Sequence, residues 1–519
     1  TAPEMNVYVM GRQGSQYARQ TDISAPVRGG ELNLEFSRVY FNSWGTPENS
    51  SSTSRHDLGV GWFHTYQDYA VFSTNNVTGK PSTPVGVALN VAQNTRIYVY
   101  YATDAQGVDE YRIDATFDVG DASSGGSQTD EMGNKIYRDP NTNLFKLVYP
   151  DNSSKTFSPV GGVLHSLSDR NGNTLFVGYD WGVLDTVGGP DDRFLQFHWN
   201  NYGQISSVEL RKWTGAGQST VLRAVSYIYT STSSLASLFQ AVYSDASYNE
   251  FSYGKKDSAD PYYSYMTDIR DRSGLHTTFT AAYSIDTWQP TWSRVTYQTV
   301  THATTALHTV YDQQDATGSL VAVSHYDAPT NGNLLAKAVF YGDSSAFANS
   351  SEHYFKDAYG YFQRVWSYAY SHVNYRDLMC ITDPSAQTSY RYEYNAQGQI
   401  TKMYRRAATP PLQFEYDSTG LKPVKRIDPN LAESTYIYDS AGNISYYHHP
   451  SMGAASVHYV YDAYGHMTSM TDPCGKTWSY TYDSRGNQTS ATDPNGHTTT
   501  LAYDDFGRVV SVLDPMNKL

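Results

Sequence analysis

Ser434-Thr435-Tyr436-Ile437-Tyr438-Asp439-Ser440-Ala441-Gly442-Asn443-Ile444-Ser445-Tyr446-Tyr447 decides the fold of this chain. Up to Tyr438, large and small side chains alternate, the period of a strand with one buried face. Asp439 to Gly442 reads as a turn. The carboxylate accepts backbone N–H groups two residues on, and glycine supplies the positive φ that closes a short hairpin. Asn443 to Tyr447 then runs back as the partner strand. The unit is one β-hairpin.

Outward from this stretch the same signature, Tyr-Asp/Asn-x-x-Gly, recurs. It stands at Tyr394-Asn395 to Gly398, Tyr416-Asp417 to Gly420, Tyr438-Asp439 to Gly442, Tyr461-Asp462 to Gly465, Tyr482-Asp483 to Gly486 and Tyr503-Asp504 to Gly507. The tyrosines are 22, 22, 23, 21 and 21 residues apart. A fixed period marks a repeat architecture. Several second strands end at Asp-Pro: Asp383-Pro384, Asp428-Pro429, Asp472-Pro473, Asp493-Pro494 and Asp514-Pro515. Proline has no ladder donor and disfavours helix in the residue before it, so it stops the strand. A lone hairpin is marginal in water, so the units are expected to add edge to edge into one sheet. Every Tyr-Asp-Gly turn then falls on one rim and every Asp-Pro turn on the other.

Composition agrees with an all-β chain and excludes several functions. Tyr numbers 47 against 37 Lys and Arg in 519 residues, and charged residues are 17%, below the roughly 25% of typical domains. Strand formers dominate, and no long stretch has helical periodicity. A net charge of −14 supplies no basic stripe for phosphates, which argues against nucleic acid. No apolar run approaches the roughly 20 residues that span a bilayer as a helix. Thr1-Ala2-Pro3 looks like a mature or trimmed start, and the expected location is secreted or cell-surface. Two cysteines make no disulfide framework. Cys380 reads as a small apolar strand residue and Cys474 as a turn residue, with their pairing left open.

The Tyr-Asp-x-x-Gly hairpins with Asp-Pro turns resemble the YD repeats of the Rhs family, found also in teneurins and insecticidal toxin-complex proteins. The N-terminal region resembles the domain that opens Rhs-type proteins. Leu32 to Tyr40 looks like its first long strand and Tyr40-Phe41-Asn42-Ser43 like the turn after it. Leu58-Gly59-Val60-Gly61-Trp62-Phe63-His64-Thr65-Tyr66 looks like its Leu-Gly-x-Gly-Trp-x-His-x-Tyr signature, with Gly59, Gly61, Trp62, His64 and Tyr66 as the matching positions. Leu167 to Thr174, around Asp169 and Gly172, resembles the step into divergent repeats. The match is specific at both ends and diffuse from about 210 to 390. It implies repetitive antiparallel β-hairpins coiling into a long spiral sheet or hollow β-shell that holds a polypeptide, often a toxin. The chain departs from the family in ending mid-repeat at Asp514 to Leu519, with no plug, no Asp-Pro-x-Gly-Leu signature and no toxin domain in view. A fragment, one component of a split shell, or a repeat protein with another use is expected.

Three regions follow: 1–160, an Rhs-type N-terminal β-domain; 161–374, divergent YD-like repeats; and 375–519, regular YD repeats, truncated in the last unit. Worn copies are Phe194 to Ile205, Val310 to Gly318 and Phe355 to Gly360. Asn49 to Ser54 and Ala122 to Ser127 read as exposed loop tips.

The repeated carboxylates invite comparison with glycoside hydrolysis, which needs two carboxyls roughly 5–10 Å apart. Asp417, Asp439, Asp462, Asp483 and Asp504 recur at one offset, with Gly420, Gly442, Gly465, Gly486 and Gly507. A catalytic residue is unique, so these are turn caps. Asp169 to Asn173 and Asp493 to Gly496 lack the acidic ligands of a calcium loop. No His-Glu-x-x-His or Cys-x-x-Cys supports zinc. His64 reads as packed structure, and His448, His449, His458 and His466 as lining one patch of wall. Tyr436, Tyr438, Tyr459, Tyr461, Tyr480 and Tyr482 read as cross-strand aromatic ladders. No catalytic, cofactor or metal residue is assigned, and no cofactor is expected.

Two functions are carried forward. The first is a non-enzymatic secreted or surface scaffold that encloses, presents or assembles with polypeptides: a cargo, a missing shell segment, or further copies through the C-terminal edge. The alternative is a polysaccharide-binding or polysaccharide-cleaving, lyase-like protein with a Tyr/His-lined cleft, its unique residues drawn from 210–390.

Overall fold

The computed structural model describes the strands from Val7 to Leu513 and most of their turns, continuously over 163–232 and 410–516. Residues 1–6, 42–56, 74–94, 101–116, 120–127, 256–263, 286–292, 314–319, 343–347, 371–377 and 517–519, with several shorter loops, lie outside the described residues. Both loop tips expected at 49–54 and 122–127 fall there, as do Asn42, Ser43, Gly59, Gly61, Gly318 and Gly360.

The described residues form 40 strands and one short 3-10 helix, Pro450–Met452. Val7–Met10, Ser15–Pro26, Asn33–Phe41 and Trp62–His64 make a four-stranded antiparallel sheet in chain order. The strand expected to be the first long one, Asn33–Phe41, is preceded by a longer partner, Ser15–Pro26, and pairs with it from Tyr17↔Phe41 to Pro26↔Asn33. Tyr69–Ser73, Thr95–Tyr100 and Phe117–Val119 form a small second sheet. From Gln128–Thr129 to Val509–Leu513 each strand pairs antiparallel with the next in one continuous sheet.

The apolar core lies where the four-stranded sheet covers one face of this long sheet. Ile23, Leu34, Phe36 and Trp62 pack there with Phe145, Leu195, Phe197, Val208, Tyr227 and Phe251. A buried ion pair sits inside: Arg38 grips Asp22 through Nε and Nη2, and the Tyr227 and Tyr243 hydroxyls each donate to the same carboxylate at 2.7 Å. Burial lowers the Arg38 pKa, but the Asp22 charge and hydrogen bond together with the Tyr243 and Tyr227 hydroxyls more than reverse this. Burial, then the Asp22 charge, pushes the Tyr227 hydroxyl far up. Trp62 Nε1 donates to the Tyr253 hydroxyl at 2.8 Å, and that hydroxyl donates to Leu238 O at 2.6 Å. These bonds bolt the N-terminal sheet to the long one.

Beyond the core the sheet becomes a wall. Among the described residues from 378 to 516, only Ser434, Gly442, Asn443, Val457 and His466 are buried. The register sorts side chains onto two faces. One carries Tyr392, Phe414, Tyr436, Tyr447, Tyr459 and Tyr480, all half-buried. The other carries Arg391, Glu393, Lys402, Lys425, Thr481 and Ser490, interspersed with Tyr404, Ile437, Tyr446 and Val460.

The sheet coils back upon itself. Turns near 170–212 touch turns near 443–505, at sequence separations of 272, 291, 293 and 293 residues. One lap therefore spans about 290 residues, the distance from the strand Leu164–Ser168 to Val457–Tyr461, 23 strands later. At about 4.8 Å per strand, a lap is roughly 110 Å around and about 35 Å across. An eight-stranded barrel is just filled by its own side chains, so a lap of this size is not.

Candidate functional site

Most repeat turns are built the same way; the Asp417 turn is one residue longer, with Asp417 N donating to Lys422 O at 2.8 Å. Asp462 N donates to His466 O at 2.9 Å and Gly465 N to Asp462 O at 3.2 Å. The Asp462 carboxylate accepts Tyr464 N and His466 N at 2.8 and 2.9 Å. Asp483 and Asp504 repeat the pattern, and Gly442, Gly465, Gly486 and Gly507 take φ between 75° and 90°. Burial opposes ionisation of Asp462, but bonds from His466 and the turn amides outweigh it and lower its pKa.

The tyrosine before each turn has a job of its own. It sits at a bulge in the register, as at Ile437/Tyr438 and Thr481/Tyr482. Its hydroxyl reaches back to a main-chain carbonyl of the preceding hairpin: Tyr394 to Leu378, Tyr416 to Ile400, Tyr438 to Pro423, Tyr482 to Met467 and Tyr503 to Gln488, at 2.7–2.8 Å. Tyr253, bonded to Leu238 O, does the same in the divergent region. The repeat is thus a hairpin plus a tie to its neighbour. Tyr461, whose unit has the 23-residue spacing and carries Pro450–Met452, stands outside this series.

Where the laps meet, the turns form a polar seam. Asn173 Nδ2 donates to Tyr464 O at 3.0 Å, and Asn443 Nδ2 donates to Asn171 Oδ1 at 3.2 Å. Arg485 makes a two-pronged bond to Asp192, both arms 3.0 Å, and a third to Asp505 at 3.0 Å. Lys212 Nζ lies 2.6 Å from Asp505 Oδ1, and Arg193 donates to Asp505 O at 3.2 Å. The bonds to Asp192 and Asp505 hold the Arg485 guanidinium above its usual pKa. At Gly465 a Cβ would meet Asn171 Nδ2 at 2.2 Å, so the seam needs glycine there for space as well as for φ.

Beside the seam lies a cleft of about 440 Å³, lined by Arg28, Tyr464, His466, Tyr480, Tyr482 and Asp483 among others. Arg28 lies over the Tyr464 ring at 4.2 Å and donates to Ser484 O at 2.8 Å. His466 stacks on Tyr482 with ring centres 4.6 Å apart. The groups a lyase would recruit are already engaged: His466 Nδ1 lies 2.8 Å from Asp462 Oδ2, and the Tyr482 hydroxyl donates to Met467 O at 2.8 Å. Among the described residues no group of three His, Cys, Asp or Glu side chains is placed to hold a metal. No helix among them is long and apolar enough to cross a membrane.

Residues 461–498 and 482–515 match the sequence model of the RHS repeat. These last hairpins are RHS repeats. No curated protein matches it. Among solved structures it is similar to the TcdB2-TccC3-Cdc42 crystal structure, at 12% identity over 97% of this chain and 27% of that one, TM-score 0.46. It is similar to the Photorhabdus luminescens Tc holotoxin pore at 12% identity over 98% and 27%, TM-score 0.47. It is also similar to TcdB2-TccC3 without its hypervariable C-terminal region, at 13% over 97% and 26%, TM-score 0.47. The chain spans about a quarter of the length of those chains.

The turn residues Asp417, Gly420, Asp439, Gly442, Asp462, Gly465, Asp483, Gly486, Asp504 and Gly507 all lie in turns of one rim, and the Asp-Pro turns lie on the opposite rim. Trp62, His64 and Tyr66 are buried at 1%, 0% and 3% exposure, with His64 Nε2 3.1 Å from Asp57 Oδ2. The histidines do not share a patch. His448 and His449 lie at the Asp-Pro rim, whereas His466 is in a turn of the other rim, because a hairpin separates them. The ladder reading is partial. Tyr436 stacks on Tyr447 at 5.4 Å, but Tyr459 faces Met470 and Tyr480 faces Ala491. Cys380 is half-buried in the strand Leu378–Thr382 and Cys474 exposed in its turn, both free thiols. The seam residues Asn171, Asp192 and Lys212 had no sequence signal, since they act across a whole lap.

Proposed function

We propose that the chain is a wall segment of a secreted Rhs-type shell, with its tyrosine-rich face turned inward around a polypeptide. The observation that carries this is the aromatic face itself. It continues from the core, where the N-terminal sheet covers it, into repeats where it is only half-buried. A coil too wide for its own side chains to fill, lined by sequence-tolerant aromatic rings, suits an extended or unfolded chain better than one small ligand. The hydroxyl- and charge-bearing opposite face suits solvent.

The test is a fusion of an unfolded, tagged polypeptide after Leu519, with a photo-crosslinking phenylalanine analogue at Tyr480 or at Thr481. These positions lie on opposite faces. Crosslinking from position 480 alone, with a tag cut more slowly by protease than the free polypeptide, is the expected result. Equal crosslinking from both positions and unprotected cleavage would overturn the proposal.

The cleft at His466 and Tyr482 supports polysaccharide as a second reading, since Tyr464, Tyr480 and Tyr482 offer rings to a sugar. Binding of an anionic or neutral polysaccharide by the intact protein, lost in Tyr480→Ala, would establish it over the shell.

A further inference from the structure

The long hairpin that joins Ser15–Pro26 to Asn33–Phe41 enters its tip at Pro26, Val27 and Arg28. These three residues reach the place where the turns near 190 meet those near 484 and 505. Val27 is 2% exposed, although a hairpin tip ordinarily runs over the surface.

Glycines on both laps make room for it. On the first lap, a Cβ at Gly189 would meet Val27 Cγ1 at 2.8 Å and Leu175 Cδ2 at 3.2 Å. On the second lap, a Cβ at Gly507 would meet Pro26 Cγ at 3.3 Å. Gly189 has no positive φ, so space alone calls for glycine there. Two arginines then bridge the laps through the tip. Arg28 Nε donates to Ser484 O at 2.8 Å and Nη2 to Pro190 O at 3.4 Å, with the guanidinium over the Tyr464 ring. Arg193, itself 2% exposed, donates from Nη2 to Pro26 O at 2.5 Å and from Nη1 to Asp505 O at 3.2 Å. Phe506 of the second lap packs on the same apolar core as Val27.

The other bonds described across the seam run between side chains and turns, and the ion pairs among them are partly exposed. Such pairs contribute little to stability. Neighbouring strands within a lap are instead joined by a main-chain ladder. The tip therefore sits at the weakest join of the coil, where opening costs least.

We propose that Pro26–Arg28 is a latch: seated, it holds the two laps together, and withdrawn, it lets the coil open along the seam while each hairpin stays folded. One short segment grips both laps, so its release frees both at once. The N-terminal sheet that carries it thereby controls access to the space within the coil. The inference stands on the seam and is independent of what the wall encloses.

The separation of the laps in the intact protein tests it. Spin labels are placed on Cys474, in the second lap, and on Tyr202→Cys, in the first, with Cys380→Ser; Cys474 and Tyr202 are both exposed. Double electron–electron resonance is expected to give one narrow distance while the latch is intact. Arg28→Ala adds a longer, broader distance, and Gly189→Val, which fills the socket of Val27, makes the longer one dominant, with an unchanged circular dichroism spectrum. Lys212→Ala removes a cross-seam pair outside the latch and keeps the single short distance. The short distance alone in Arg28→Ala and in a folded Gly189→Val overturns the proposal. So does Lys212→Ala opening the laps as far as they do. Should Gly189→Val lose its sheet spectrum, Arg28→Ala decides, since it removes no fully buried group.

Discussion

The tyrosine of the repeat is the residue whose role changes most between sequence and structure. Alternation places it correctly on one face of its strand, and cross-strand stacking is a sufficient reason for a ring there. It does not explain why the ring carries a hydroxyl. The hydroxyl bonds to the carbonyl of the preceding hairpin do, since they join neighbours that the turn alone cannot join. Tyr482→Phe keeps the ring against His466 and removes only the bond to Met467 O. A part-buried hydrogen bond of this kind contributes about 1 kcal/mol net. The variant is expected to unfold at lower denaturant by that amount, with an unchanged m-value, whereas Thr481→Val on the opposite face shifts the midpoint far less. Equal shifts would mean that the tie contributes nothing.

At the scale of elements, hairpin identity was legible in the regular repeats and hairpin position was not. The Tyr-Asp-x-x-Gly signature carries its own turn chemistry, so strand, turn and strand are written within about twenty residues. The two rims follow from antiparallel order. The seam is different: Arg485 and Asp192 are 293 residues apart, and nothing local marks either as a partner. The site at Tyr464 and His466 was half-legible, with His466, Tyr480 and Tyr482 quoted but its cleft dependent on Tyr464 and on Arg28 from the N-terminal region. Arg485→Met tests the seam as an element. It leaves the Asp483 turn intact and removes the two-pronged bond to Asp192 and the contact with Asp505. Amide exchange is expected to quicken at the turns around 483–508 and 190–193 together, with the core at Phe36 and Phe197 unaffected. Exchange quickening on one side alone would show that the laps are held by other contacts.

Over the whole molecule, the titrating groups set a window of stability rather than a single optimum. Burial raises the hydroxyl pKa of Tyr416, Tyr438, Tyr461 and Tyr482 above 10.0. The unfolded chain then ionises first, so the stability these groups contribute is whole below pH 10 and is lost as pH rises through their folded values. Burial lowers the pKa of His308, His325 and His353 below 6.5. For them the unfolded chain takes up protons first, so stability falls as pH drops below 6.5. The turn carboxylates act lower still. Bonds from His497 and the turn amides bring Asp493 to about 2, and the carboxylates of Asp417, Asp462 and Asp504 are also lowered, so their share fades as pH falls from 3.8. A thermal midpoint measured against pH is therefore expected to be flat between about 6.5 and 10 and to fall on both sides, with two stages on the acid side. The alkaline fall should coincide with the appearance of tyrosinate absorbance, because the hydroxyls of Tyr416, Tyr438 and Tyr482, which tie the hairpins, are among those released. A midpoint that stays level through pH 10 while tyrosinate appears would place the titrating tyrosines outside the ties.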